Sequence, residues 1–249
     1  LGRKWAMEAL AARPTCQWAA AMAYQHADGA ALRRRILELL EPKDCLVARM
    51  VEATLAGEAG DHTRAAALYG QAAREYGEPV ELVRLEAAEL EAAGELSKAL
   101  ELYRRLHMET KAPDLANNIA YLLAILHPDD PEKLVDAGRY ADLAIEGLPR
   151  SPMVRDTAGW IAYLRGDYER ARKELRRAVK GLPQIPDVHY HLGVAEAASG
   201  NAELARWHLA AAIHHGEKLA AEGGSLSPSS QQSVAAARTE LERLTKAES

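Results

Sequence analysis

Residues 155–183, RDTAGWIAYLRGDYERARKELRRAVKGLP, read as two short helices separated by the Gly166-Asp167 break. The apolar positions recur at helical rather than strand spacing. Alanines stand where bulkier core residues are the usual filling, with Ala171 and Ala178 seven apart. Where two helices pack closely, a small side chain at i and i+7 lets the backbones approach. The segment therefore predicts an antiparallel helical hairpin.

The same pattern returns along the chain. GDYERARKELRRAVKGLP (166–183), moved by 34, falls on GNAELARWHLAAAIHHGE (200–217), so Ala171 and Ala178 meet Ala205 and Ala212. Going backwards, Ala137 and Ala144 keep the register, and Ala65 and Ala99 are again 34 apart with Gly60 and Gly94 five residues ahead of them. The step from Ala99 to Ala137 is longer, at 38, and HPDDPEK (127–133) marks the insertion. Gly60, Gly94, Gly166 and Gly200 suit the left-handed turn that ends a first helix. Asp61, Asp167 and Asn201 suit the start of the next one. Pro149 and Pro183 close units, while Pro152 and Pro186 lie near the following helix starts. One hairpin cannot bury its apolar face alone, so neighbours must stack into a solenoid.

These residues resemble the tetratricopeptide repeat. The best unit supplies Gly159, Gly166, Tyr168, Ala171, Ala178 and Pro183, and the next supplies Leu192, Gly193, Gly200, Ala205 and Ala212. The 113–151 unit departs through its insertion and through Ala120 in the glycine slot, while Tyr69 and Tyr103 fill the large-residue slot of two earlier units. The resemblance covers residues 46–217, in units 46–79, 80–112, 113–151, 152–185 and 186–219. It implies an all-α fold, a right-handed superhelical solenoid of antiparallel helix pairs. The phrases NNIAYLL and DTAGWIAYLRGDYERA are also similar to bacterial repeat proteins of envelope and polysaccharide-export systems.

The ends differ from the array. Residues 1–14 have the spacing of a second helix without its partner, as in a truncated repeat, and 15–45 read as a divergent hairpin. Residues 220–227 form a small-residue loop. Beyond it, Ser227 and Pro228 predict a helix start. Val234, Ala237, Leu241 and Leu244 form one stripe of a capping helix over 228–246.

Composition narrows the function. The chain has 249 residues, 48% hydrophobic and 27% charged, which fits a folded protein of one large or two small domains. It has no Phe, so Leu, Ala, Tyr and Trp must fill the interior. A net charge of -5 argues against nucleic-acid binding. No stretch approaches the roughly 18 apolar residues of a membrane span, so no membrane insertion is expected. The first residues lack both an initiator Met and an apolar leader, so the chain reads as a processed piece, cytoplasmic or periplasmic. Cys16 and Cys45 are expected as buried free thiols rather than a bridge.

No catalytic or phosphate-binding motif is present, so no enzyme activity and no cofactor are expected. No metal site is expected either: His189 and His191, two apart on a helix, point to different faces, and His214 and His215 are adjacent. All four read as surface or half-buried side chains. The run ERARKELRRAVK reads as a solvated outer face.

The tetratricopeptide resemblance implies that first helices line an inner, concave groove. Carried onto this chain, the groove positions are Asn117, Tyr121, Met153, Asp156, Trp160, Tyr163, Asp187, Tyr190 and Val194. Four aromatics from three successive units would then share a trough, of the kind that anchors protein partners. The other reading is that Trp160 and Tyr163 fill gaps between hairpins as core. Asn117 and Asp156 are placed to hydrogen-bond a peptide backbone, and with Asn and Asp in the slots for a lysine and arginine clamp, an acidic tail is disfavoured. The expected role is a non-catalytic scaffold or adaptor for a protein or peptide segment. The alternatives are a regulatory or substrate-recruiting domain of a larger enzyme or envelope assembly, self-association through the incomplete N-terminal repeat as a homo-oligomer, and glycan or small-ligand binding.

Overall fold

A computed structural model describes residues 2–15, 17–41 and 44–246, apart from the side chains of Arg3, Trp5 and Trp18. Cys16 lies outside the described residues, and Cys45 is a buried free thiol. The described residues form helices and connecting turns, with no strand among them. In chain order the helices are α1 (Gly2–Ala12), α2 (Gln17–Gln25), α3 (Ala30–Leu39), α4 (Leu46–Glu58), α5 (His62–Glu75), α6 (Val80–Ala92) and α7 (Leu96–Thr110). They continue as α8 (Pro113–Leu126), α9 (Pro131–Gly147), α10 (Pro152–Leu164), α11 (Tyr168–Gly181), α12 (Pro186–Ala198), α13 (Ala202–Ala221) and α14 (Pro228–Lys246). The chain divides into two compact units, residues 1–109 and 110–249.

The repeated alanines are where the helices meet. Ala65, Ala99, Ala137, Ala144, Ala171, Ala178, Ala205 and Ala212 are all 0% exposed. Glycine takes over where contact is closest. A Cβ on Gly159 would lie 2.6 Å from Leu175 Cγ, and one on Gly193 would lie 2.8 Å from Leu209 Cγ, so the leucine of each second helix presses onto the first helix. Burying such a leucine contributes about 1.5–3 kcal/mol.

The turns follow local chemistry. Gly60, Gly94, Gly166 and Gly200 all have φ between 76° and 83°, a region that costs other residues a clash at Cβ. Asp61 and Asp167 then cap the second helices, accepting from the backbone N–H of Arg64 and Arg170, both at 3.1 Å. Asn201 departs from the expected cap: its side chain turns back, and Nδ2 donates to Glu196 Oε2 at 2.7 Å. The insertion near 127–133 is absorbed mostly as helix. The α8–α9 connector has four residues (127–130) against three (165–167) in the next hairpin, and α9 runs 17 residues against 14 in α11.

In the first unit the core gathers Leu10, Ala23, Ile36, Leu40, Val47 and Val51. Beside it, the Thr54 hydroxyl donates to Met50 O and receives the Tyr24 and Tyr69 hydroxyls at 2.8 and 2.7 Å. In the second unit α8, α10 and α12 stand side by side, with α9, α11 and α13 packed behind them. That inner row positions the candidate site.

Candidate functional site

Each first helix of the second unit offers one stripe. Met153, Asp156, Trp160 and Tyr163 recur at i, i+3, i+7 and i+10 on α10, and Asp187, Tyr190 and Val194 repeat the spacing on α12. Asn117 and Tyr121, one turn apart on α8, are half-buried.

The structure brings the α10 and α12 rings together. Trp160 stacks on Tyr163 with centroids 5.1 Å apart and planes inclined by 17°. Its ring also lies 4.3 Å from His191 at 22° and 6.0 Å from Tyr190 at 46°. Tyr163 in turn leans on Tyr168 at 5.8 Å. Burial pushes the hydroxyls of Tyr163 and Tyr190 above their usual range. Met153, at the open end of the stripe, is 64% exposed.

The acidic positions are engaged. Asp156 Oδ1 accepts from His191 Nδ1 at 2.9 Å. Burial alone would lower the His191 pKa, but the charge and hydrogen bond of Asp156, with Asp187 nearby, raise it overall. His191 is thus a member of the site that the stripe spacing did not include. Its signal in the sequence is the i, i+4 relation to Asp187. Asn117 Oδ1 is buried with no hydrogen-bond partner.

Asp187 and Val194 face a further element, α14. Asp187 accepts from both Ser230 Oγ and Ser233 Oγ, the latter at 2.9 Å. Val194 is buried with Leu209, Ala212 and Ala237, and Trp160, Tyr163, Tyr190, Ile213, Leu241 and Leu244 pack against that cluster. The two readings of Trp160 and Tyr163 therefore meet in one place. Their rings line the inner row, and they also adjoin packing with the C-terminal helix.

Three other histidines, His189, His208 and His215, form a second group behind α12. His189 is buried, with 2% exposure, which corrects the expectation of a surface or half-buried ring. Its Nε2 donates to Pro183 O at 3.1 Å, so in the neutral ring Nδ1 accepts from His208 Nδ1, also at 3.1 Å. Burial lowers the pKa of His189 and, with His189 alongside, pushes that of His208 down to about 4. An open depression of about 420 Å³ lies beside them, lined by Val179, Pro183, Trp207 and His215 among others. Among the described residues no group of three or more His, Cys, Asp or Glu side chains is arranged to hold a metal ion.

The run ERARKELRRAVK is only partly solvated. Glu174 is buried and paired with Arg155 and Arg177. Arg172 and Arg176 clamp the carboxylate of Glu196, which is 1% exposed, with Nε–O distances of 3.0 and 2.9 Å. The lysines of the run, Lys173 and Lys180, are exposed.

No protein-family model matches the chain, and no curated protein matches it. Solved structures do. TTC0263, a thermophilic TPR (tetratricopeptide-repeat) protein in Thermus thermophilus, superposes with a TM-score of 0.60 at 18% identity, over 78% of this chain and 100% of that one. YrrB, described as a TPR protein with an unusual peptide-binding site, gives 0.53 at 20% identity over 75% and 93%. PilW, a type IV pilus biogenesis factor, gives 0.57 at 16% identity over 80% and 92%. At these identities the likeness is one of fold, and the fold is that of tetratricopeptide-repeat proteins. No helix among the described residues is long and apolar enough to cross a membrane.

Proposed function

We propose that this chain is a protein-interaction scaffold or adaptor, without catalysis of its own, that binds a protein or peptide segment along the inner stripe of α8, α10 and α12. The observation that carries the reading is the joined ring surface of Trp160, Tyr163 and Tyr190, half-buried rather than sealed. Flat aromatic area of this kind concentrates binding energy at small entropic cost. Two neighbours support it. Met153 extends the apolar stripe into solvent. Asn117, half-buried on α8, brings an amide side chain to the neighbouring part of the inner row. YrrB, described as a TPR protein with an unusual peptide-binding site, shares this fold, and that likeness supports the reading by analogy of fold alone. Affinity on the order of micromolar is expected.

The test is affinity capture with the wild-type chain beside a Trp160→Ala, Tyr163→Ala double variant whose helicity and melting are verified. Proteins lost with the variant, while its fold survives, identify the partner and the site. Recovery of the same proteins by both baits would remove the aromatic stripe from the contact.

A further inference from the structure

The α12 end of the inner stripe is already covered by one amphipathic helix, the chain's own α14. Val234, Ala237, Leu241 and Leu244 recur at i, i+3, i+7 and i+10, the same spacing as the α10 stripe. Val234 and Ala237 are buried, and Leu241 and Leu244 reach the cluster on which Trp160, Tyr163 and Tyr190 pack. The first turns of α14 supply the polar half of the contact, with the Ser230 and Ser233 hydroxyls on the two carboxylate oxygens of Asp187. A close approach is built in on α13, where a Cβ on Gly216 would lie 2.6 Å from a Val234 methyl.

The hold is shallow. Three of the nineteen residues of α14 are buried, against eight of thirteen in α12. Leu241 and Leu244 stay half-buried, and an open depression of about 450 Å³ lies between Ile213 of α13 and the last turns of α14. The outer-face charges pair mostly within the helix, Arg243 with Glu240 and Lys246 with Glu242, and Arg238 reaches Glu217 at an exposed site. Exposed pairs of this sort contribute little. The tether, residues 222–227, contains Gly223 and Gly224 and lies outside any helix. An element with few buried contacts on a glycine-containing tether belongs to the low-stability end of a fold.

We infer that α14 is a releasable occupant of the aromatic stripe, and that the partner is an amphipathic helix of the same pattern: hydroxyls in its first turns for Asp187, then small and aliphatic residues at i, i+3, i+7 and i+10. This inference rests on the binding role proposed for the stripe. In the closed chain the intramolecular helix holds the site at a high effective concentration, so a partner must outcompete it. The competition lowers the apparent affinity by the fraction of chains that are open.

The experiment is a titration of a fluorescein-labelled synthetic peptide of residues 227–246 into two full-length chains, the wild type and a Leu241→Glu, Leu244→Glu variant. Weakening the chain's own occupant should raise the affinity for the peptide at least tenfold over wild type. A peptide carrying the same two glutamates should bind neither chain. Equal binding of the labelled peptide to both chains, with the variant's helicity and cooperative melt intact, overturns the inference and makes α14 a fixed cap. If the double variant loses its cooperative melt, the single Leu244→Glu chain is titrated instead, and affinity equal to wild type overturns it as well. Either negative result leaves the capture comparison standing, because both of its baits carry an unaltered α14.

Discussion

His189 and His191 share α12 and lie two residues apart, yet one meets a second imidazole and the other a carboxylate. On the side of the inner row, Asp156 of α10 and the neighbouring Asp187 raise the His191 pKa despite its burial. Behind α12, burial lowers the His189 pKa, and His189 adds to the burial that depresses its partner His208. A helix inside a stacked array is covered from two sides by different neighbours. The charge state of its side chains is therefore set by the preceding hairpin on one side and by the second helix of its own hairpin on the other, more than by the residues adjacent in sequence.

The largest expected effect comes from the layer that joins the two sides. Leu209 is fully buried, presses on Gly193 and belongs to the cluster with Val194. Leu209→Ala should cost about 2–5 kcal/mol in urea denaturation, as for other buried leucines. A loss under about 1 kcal/mol would mean that the inner and outer packing of α12 are independent. Next is Glu196→Ala on the outer side, expected to cost about 1.5–3 kcal/mol by thermal melting, the worth of hydrogen bonds to charged groups. The cost stays below that of breaking a fully buried pair because Arg172 and Arg176, 28% and 47% exposed, can turn to water. An unchanged melting point would show that this carboxylate contributes nothing to the stacking of α11 on α12.

The smallest effect separates the histidines by pH. The unfolded His208 takes a proton near 6.5 and the folded one near 4, so its contribution is present above 6.5 and is lost as pH falls toward 4. His191 has the opposite sign: its contribution is full below 6.5 and fades as pH rises through its raised folded value. His208→Gln should therefore flatten the acid side of the melting profile, and His191→Gln the neutral side. Identical profiles for the two variants would erase the distinction between the sides.

Much of the hairpin array is legible in the sequence because it depends on local rules. The eight alanines in register are the buried contacts, and Asp61 and Asp167 cap as their type and position demand. What sequence spacing does not reveal is how neighbouring hairpins meet. Asn201 is capable of capping but finds a buried carboxylate within reach. Glu174 and Glu196 look like surface acids until the arginines of an adjacent helix cover them. His191 joins the site because α10 places Asp156 and Trp160 against it. The stripe of α14 is visible in the sequence, whereas the rings and the carboxylate it lies against are fixed only once α10, α12 and α13 are stacked.

The arginine clamp on Glu196 also gives the hairpins an order. The buried alanines recur at the same positions in successive hairpins, so by themselves they do not distinguish one neighbour from another. The ion pairs are not interchangeable. One and five residues beyond Ala171, α11 carries Arg172 and Arg176, whereas the same offsets from Ala137 in α9 hold Gly138 and Asp142. If the α8–α9 hairpin were spliced in front of α12 in place of α10–α11, it would set a glycine and a second carboxylate against the buried Glu196. Where the alanine register is silent about order, this buried ion pair discriminates between neighbours.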